Sequence, residues 1–400
     1  MKIIAISWNY LWSRPLAAAL NLLLLSLGLA SITFLLLVSH QLSTAFERDL
    51  AGIDLVVGAK GSPMQLILSG VFQLDVPTGN IPLAAVQALQ AHPQVALLIP
   101  ISMGDSFRGF RIIGTTLAYP AHYQARLAQG TMFTTPMQAV LGARVARETG
   151  LKLGDTFTGS HGLGSGGHAH GQNPYTVTGV LAPGGTVLDR LVLTPLESVW
   201  QVHETDTALD DEDRQALEAE REVTLALIQY KTPLAAVTFP RFVNTTTDMQ
   251  AAAPALEITR LLSMLGVGLD MLRALAGVLL LTAALSVFIA LWGAVRERQA
   301  DLALLRMLGA PPRKVAGLLV CEALWLALLA TVLGVLAGQC LSALLAWGLQ
   351  LENSVLVGGF AWPVELAAVP LLALFVALAA ALLPAWQAYQ VNVFALLQPK

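Results

Sequence analysis

Apolar residues in this chain gather in long blocks separated by ordinary mixed text. The first block runs from Leu16 to Val38 and is interrupted only by Asn21, Ser26, Ser31 and Thr33. As a helix rising about 1.5 Å per residue, it is long enough to cross a hydrocarbon core of about 30 Å. Three further blocks follow: Leu275 to Val295, a third within Val315 to Leu349, and Leu366 to Trp386. No comparable run occurs between His40 and Asp270. The pattern predicts a membrane α-helical protein with four transmembrane helices and a large extracytoplasmic α+β domain between the first and second. A cleaved leader is the other reading of the first block, but the block exceeds the usual apolar region of about 7–15 residues and no clear small-x-small cleavage site follows it.

The third block is longer than a simple span and predicts strong tilt or an outward projection. Within it Ala330, Gly334, Gly338 and Ser342 recur every fourth residue, which lays small side chains along one helix face for close packing by another helix. Lipid-facing small residues in a glycine-rich membrane protein would give the same spacing. In the polar text, Pro82–Ala91, Gln138–Thr149 and Asp210–Leu227 read as helices, and Phe107–Ile113, Tyr175–Val180 and Arg190–Leu193 as strands bounded by Gly and Pro. The acidic stretch from Glu204 to Glu222 reads as a solvated helix face.

Composition agrees with a membrane protein. Only 12% of the 400 residues are charged and 55% are hydrophobic, with a mean hydropathy of +0.65, whereas soluble domains carry about 25% charged residues. A net charge of -3 implies no broad basic face, so nucleic acid is not expected as a partner. The placement of charge says more. Lys2 and Arg14 precede the first block, and Arg296, Arg298, Arg306, Arg313 and Lys314 crowd the loop between the second and third. The loop before the fourth offers Glu352 and Glu365 and no cation. Positive residues near span ends stay cytoplasmic, so both termini are expected inside the cytoplasmic (inner) membrane and the large domain in the periplasm.

The resulting division is an interfacial segment at residues 1–15, spans at 16–40, 271–295, 315–349 and 365–387, the outer domain at 41–270, a cytoplasmic loop at 296–314, a short outer loop at 350–364 and a cytoplasmic tail at 388–400. The first segment, with Ile3, Ile4, Trp8, Tyr10 and Trp12, is suited to lie on the inner leaflet in contact with membrane lipid. Cys321 and Cys340 both fall in the third block, which leaves the outer domain without a disulfide. Glu322 is the one acid well inside a span; it calls for a partner or a function, either an arginine of the cytoplasmic loop or a proton relay.

Candidate chemistry is sparse. The glycine-rich loop from Ser160 to Gly171 holds His161, His168 and His170, and His203 with Glu204 could add ligands. Imidazole suits zinc, copper and nickel, although a surface loop of mixed composition would read the same way. Gly162, Gly164 and Gly167 spell G-x-G-x-x-G, but no strand precedes and no helix follows, which excludes the dinucleotide reading. Gly58-Ala59-Lys60-Gly61 lacks the spacing of a phosphate loop. Neither G-x-S-x-G nor H-E-x-x-H occurs, and the spans lack the polar rows of secondary transporters, so no catalytic residues are expected. Four spans of this kind are too few to enclose a hydrophilic channel, and a symmetric dimer is the default assembly.

The stretch Glu297-Arg298-Gln299-Ala300-Asp301-Leu302-Ala303-Leu304-Leu305-Arg306-Met307-Leu308-Gly309-Ala310, followed by Arg313-Lys314-Val315 and Glu322-Ala323, resembles the E-R-x-x-E-I-G-x-L-R-A-L-G-A signature of the FtsX-like permeases, which include the MacB-type and lipoprotein-releasing transporters. It departs at Asp301, Ala303 and Met307. Leu383-Pro384-Ala385-Trp386-Gln387-Ala388 and Val393-Phe394-Ala395-Leu396-Leu397 are similar to the closing motifs of that family, with Val393 and Gln398 replacing the expected Pro and Arg. Val140-Leu141-Gly142, Leu151 to Asp155, Val177 to Leu181 and Leu193 to Leu196 resemble its periplasmic core domain.

The resemblance implies a dimer of this chain, or of this chain with a related permease. It further implies two copies of a separate ABC ATPase that binds ATP and magnesium, and an adaptor or substrate protein in the periplasm. In it Glu297, Arg298, Asp301, Leu302, Leu305, Arg306 and Gly309 would form the ATPase-coupling helix, with Leu302, Leu305 and Leu308 as its apolar anchor. The expected function is export or extraction of a hydrophobic, peptide or lipoprotein-like substrate by movement of the periplasmic domains. Zinc-linked transport or sensing through the histidine loop is one alternative, and transmembrane mechanotransmission that controls an envelope enzyme without transport is another.

Overall fold

Where water is absent, every backbone N–H and C=O must be paired inside the chain, so uninterrupted apolar text folds as helix. The computed structural model describes residues 3–161, 173–204, 217–218, 220–351 and 361–390. It begins with helices α1 (Ile3–Leu11) and α2 (Pro15–Leu50). Next come β1 (Leu55–Ala59), α3 (Pro63–Gly70), β2 (Ile81–Pro82), α4 (Leu83–Gln90), β3 (Val95–Phe107), β4 (Phe110–Thr115), α5 (Ala118–His122) and β5 (Leu127–Gly130). The chain continues through β6 (Gln138–Leu141), α6 (Ala143–Thr149), β7 (Thr156–Phe157), β8 (Ser160–His161), β9 (Tyr175–Leu181), β10 (Leu191–Pro195) and α7 (Leu196–Glu204). It closes with β11 (Glu222–Val223), β12 (Leu225–Tyr230), α8 (Ala235–Thr246), β13 (Met249–Ala252), α9 (Pro254–Glu297), α10 (Gln299–Met307), α11 (Pro312–Leu351) and α12 (Ala368–Tyr389).

Two compact units result, one of Met1–Ser43, Leu265–Gly348 and Val357–Lys400, the other of Thr44–Met264 and Leu349–Leu356. The division falls inside α2 and inside α9. Among the described residues four helices are long and apolar enough to cross a membrane. Leu25, Leu29, Ala283, Val287, Ala323, Val369, Ala373 and Ala377 form the core of the helical unit. Leu281, Leu285, Ile289, Leu328, Leu371 and Phe375 point outward and exposed, an apolar surface far larger than water tolerates on a soluble monomer and suited to lipid.

Helix contact in this unit depends on small residues. A Cβ on Gly334 would lie 2.7 Å from Leu29 Cβ, and one on Gly338 would lie 2.6 Å from Thr33 Cβ. Gly334 and Gly338 therefore lie where α11 meets α2, and Ala330 and Ser342 are fully buried. Asn21 in α2, also buried, accepts a hydrogen bond from the Ser286 hydroxyl of α9 at 2.6 Å.

The second unit is built on an 11-stranded mixed sheet in which β13-β1-β12-β3-β4-β10-β6-β9-β5 are successive neighbours, with β7 beside β9 and β8 beside β3. Two of its pairings are parallel, β10 with β4 and β6 with β9. Every residue of β4 and β10 is buried, as expected of central strands covered on both faces. One core gathers Leu55, Val57, Val86, Leu89, Phe239 and Val243, and another Phe110, Ile112, Leu141, Phe157, Tyr175 and Val192.

Three sequence-based expectations change here. Gln138–Thr149 is a strand and then a helix, because Ala139, Val140 and Leu141 are buried in pairings with β9 and β10 that outweigh helix propensity. Phe107–Ile113 is not one strand. Arg108 (φ 49°) and Gly109 (φ 84°) form a two-residue turn that opposes Phe107 to Phe110, the left-handed pair favoured in tight hairpins. The described part of Asp210–Leu227 includes β11 and the start of β12, whose Leu225 to Ile228 are buried between β1 and β3. Arg190 also belongs to a 3-10 turn, Val187–Arg190, before β10. Each long helix extends past its predicted block, most of all α9, which starts at Pro254.

Residues Thr44–Leu50 at the end of α2 are fastened into the α/β unit by a buried polar cluster. Asp49 accepts from the Val187 amide at 3.1 Å, and its carbonyl accepts from the Tyr123 hydroxyl at 2.8 Å. Asp189 accepts from the Gly184 and Gly185 amides at 3.0 and 2.7 Å, and Arg190 donates to the Phe72 carbonyl. Phe46 meets Phe72 edge to face at 4.8 Å. Burial pulls the Arg190 guanidinium below its ordinary range, opposed by the Asp49 carboxylate; burial likewise pushes the Tyr119 hydroxyl up.

Two predictions follow from packing. Gly338→Leu should destabilise the detergent-solubilised protein by about 1–3 kcal/mol through overpacking, while Gly277→Leu, at a site with open space, should not, as thermal unfolding would show. Arg190→Met breaks a buried charged network, which costs about 3–5 kcal/mol when one partner is removed; hydrogen exchange should rise at residues 44–50 and 184–190.

Candidate functional site

The basic loop predicted at 296–314 folds into a sharply bounded helical corner. Arg298, at φ -96° and ψ 17°, leaves helical geometry between α9 and α10. Helix α10 ends at Met307, capped by Leu308, and is followed by Gly309, whose φ of 92° suits glycine. The Gly309 amide bonds the Arg306 carbonyl and the Ala310 amide the Leu305 carbonyl, both at 3.0 Å, the paired closure of a Schellman stop. Pro311 and Pro312 follow, and Pro312 opens α11, where a missing amide costs nothing.

The seven residues assigned to coupling do not face one way. Leu302 is buried in the helical core and Leu305 packs half-buried against it. Asp301 and Gly309 are exposed, and Arg306 is half-buried. Glu297 pairs with Arg14. Arg298 points inward: its guanidinium lies 4.5 Å from the centre of the Tyr10 ring, donates to the Tyr10 carbonyl at 3.1 Å and to the Ser13 hydroxyl at 2.5 Å, and comes within 3.8 Å of Glu322. Glu322 is buried on α11.

The large exposed apolar side chains here are instead Leu304 and Met307 of α10 and Leu308 that caps it, at 54%, 52% and 78%. Leu308 borders a concavity of about 190 Å³ shared with Ile3, Ile6, Leu305, Lys314 and Leu318. Hydrophobic spacing alone does not reveal this face, because its buried side is set by α1 and α11. The pairing of Tyr10, Ser13 and Arg14 with this corner is not legible in the sequence for the same reason: their partners lie far along the chain. Trp8 of α1 contacts Trp325 of α11 edge to face at 4.9 Å and Trp12 at 5.9 Å.

Of the candidate metal ligands, His161 closes β8 opposite Asp105 and His203 lies near the end of α7. His168 and His170 lie outside the described residues, as do Val393 to Leu397 of the closing motif. Among the described residues no three His, Cys, Asp or Glu gather as a metal site. Pro384 is buried within α12.

The apolar helices and the mixed α/β unit define a membrane permease with a periplasmic-type domain. Residues 273–393 match the FtsX-like permease C-terminal region and residues 18–233 the MacB-like periplasmic core domain, and the chain belongs to this family of ABC-type permeases. It is 26% identical over 192 residues to the pyoverdine export ATP-binding/permease protein PvdT of Pseudomonas putida, covering 45% of this chain and 27% of that one. The chain thus spans about a quarter of that relative's length. Among solved structures it is similar to the periplasmic region of MacB from Actinobacillus actinomycetemcomitans (11% identity, 53% of this chain and 95% of that one, TM-score 0.35). It is also similar to the extracellular domain of the noncanonic ABC-type transporter YknZ from Gram-positive bacteria (13%, 50% and 98%, TM-score 0.31).

The Schellman stop sets a prediction. Gly309→Val forces a β-branched residue into left-handed backbone, which costs about 1–2 kcal/mol, whereas Gly309→Asn should cost less because Asn adopts left-handed backbone more readily than other non-glycine residues, the space around the site being equally open to both. Thermal unfolding of the two variants separates conformational strain from steric clash.

Proposed function

We propose that this chain is the permease subunit of an ATP-driven complex in the cytoplasmic membrane, with both termini and α10 on the cytoplasmic side and the α/β unit in the periplasm. The observation that carries the reading is the exposed apolar triad Leu304, Met307 and Leu308 on a short helix flanked by cationic residues. Such a helix offers a partner an apolar anchor together with charge. Membership in an ABC permease family implies that the partner is an ATPase. ATP binding and hydrolysis are assigned in this reading to a separate ATPase, present in two copies beside a dimer of permeases.

In this reading ATP-driven closure of the partner moves α10, and the long helices α2 and α9, each shared by the two units, carry displacement to the periplasmic domain. The helical core is lined by Leu, Val and Ala, which favours work done on a hydrophobic, peptide or lipoprotein-like substrate held outside over passage between the spans. The relative named for pyoverdine export supports an export role.

With the chain co-purified with its ATPase subunit, Leu308→Glu and Met307→Glu should each reduce complex recovery by at least tenfold and abolish stimulated ATP turnover, with Gly277→Leu unchanged. Intact assembly and turnover in both glutamate variants would contradict the coupling assignment.

A further inference from the structure

Helix α1 has nine residues and no charge among them, too short to persist on its own. What holds it in place is therefore informative. Trp8 rests on Trp325, and at the far end of α1 the Tyr10 carbonyl and the Ser13 hydroxyl both accept from Arg298. That side chain is only 14% exposed and Glu322 only 9%, and Glu322 Oε2 has no hydrogen-bond partner. The guanidinium thus sits between a desolvated carboxylate on α11, the ring and carbonyl of Tyr10 at the end of α1, and the Ser13 hydroxyl in the turn that leads to α2. Arg14 in the same turn pairs with Glu297, the neighbour of Arg298.

Arginine suits this position because its planar group can stack on a ring face while its edge donates several bonds, which the point charge of lysine cannot do. A guanidinium bonded to Tyr10 and Ser13 and only 14% exposed is poorly placed to bind a second protein. We propose that Arg298 is a positioning residue: a pin that joins α1, the α9–α10 corner and α11 into one rigid body, so that a stroke delivered to α10 moves the interfacial helix and the third span together. The inference rests on α10 as the receiver of the stroke, but the pin can be tested without the ATPase.

In the full chain carrying Cys321→Ala and Cys340→Ala, spin labels at Ile4→Cys on α1 and Leu304→Cys on α10, both exposed positions, report the distance between the two helices in nanodiscs. A single narrow distribution is expected. Arg298→Ala and Arg298→Lys should each broaden it at least twofold, and Tyr10→Leu, a milder change should the arginine variants fail to fold, should broaden it as well. A distribution that stays narrow in Arg298→Ala or in Tyr10→Leu overturns the pin, as does a tenfold loss of ATPase binding in Arg298→Ala with the distance unchanged. Broadening by Arg298→Ala alongside intact assembly of Leu308→Glu would uphold the pin and remove the coupling reading instead.

Discussion

In hydrocarbon, helices gain nothing by hiding apolar side chains from one another, so the helical unit must be held by backbone proximity and by polar groups with nowhere else to bond. Its contacts follow that constraint. Gly334 and Gly338 bring α11 onto α2, Ser286 bonds the Asn21 amide oxygen across to α9, and Gln339 donates to the Ala361 carbonyl at 2.6 Å. Arg298 closes the series where the helices end, with the buried Glu322 as its anionic neighbour.

The α/β unit follows the opposite physics. Burial of Leu, Val, Ile and Phe on both faces of a mixed sheet drives it, and polar groups are added where a segment must be fixed to it. The cluster around Asp49, Asp189 and Arg190 is the main instance, since it ties the last turns of α2 to the 3-10 turn that precedes β10. A helix end secured this way can pass displacement into the sheet, which the proposed stroke requires.

The four apolar helices, the α+β character of the large insertion and the family signature at Glu297 to Ala310 could be read from the sequence, because each rests on local pattern. Strand identity in Gln138 to Leu141 and Leu225 to Ile228 could not, since it comes from partners distant in the chain. The site was half legible. Motif spacing located the loop, but the inward aim of Arg298 depends on Tyr10 and Ser13, and the outward aim of Leu304 depends on what covers Leu302.

The account stands on α10 facing the cytoplasm while the α/β unit faces the periplasm. In a background of Cys321→Ala and Cys340→Ala, single cysteines at Met307 on α10 and Thr245 on α8, both exposed, can be treated with a membrane-impermeant maleimide in spheroplasts. The account predicts that the cysteine at 245 is labelled at once and the cysteine at 307 only after the membrane is permeabilised. Labelling at 307 in sealed spheroplasts would contradict it.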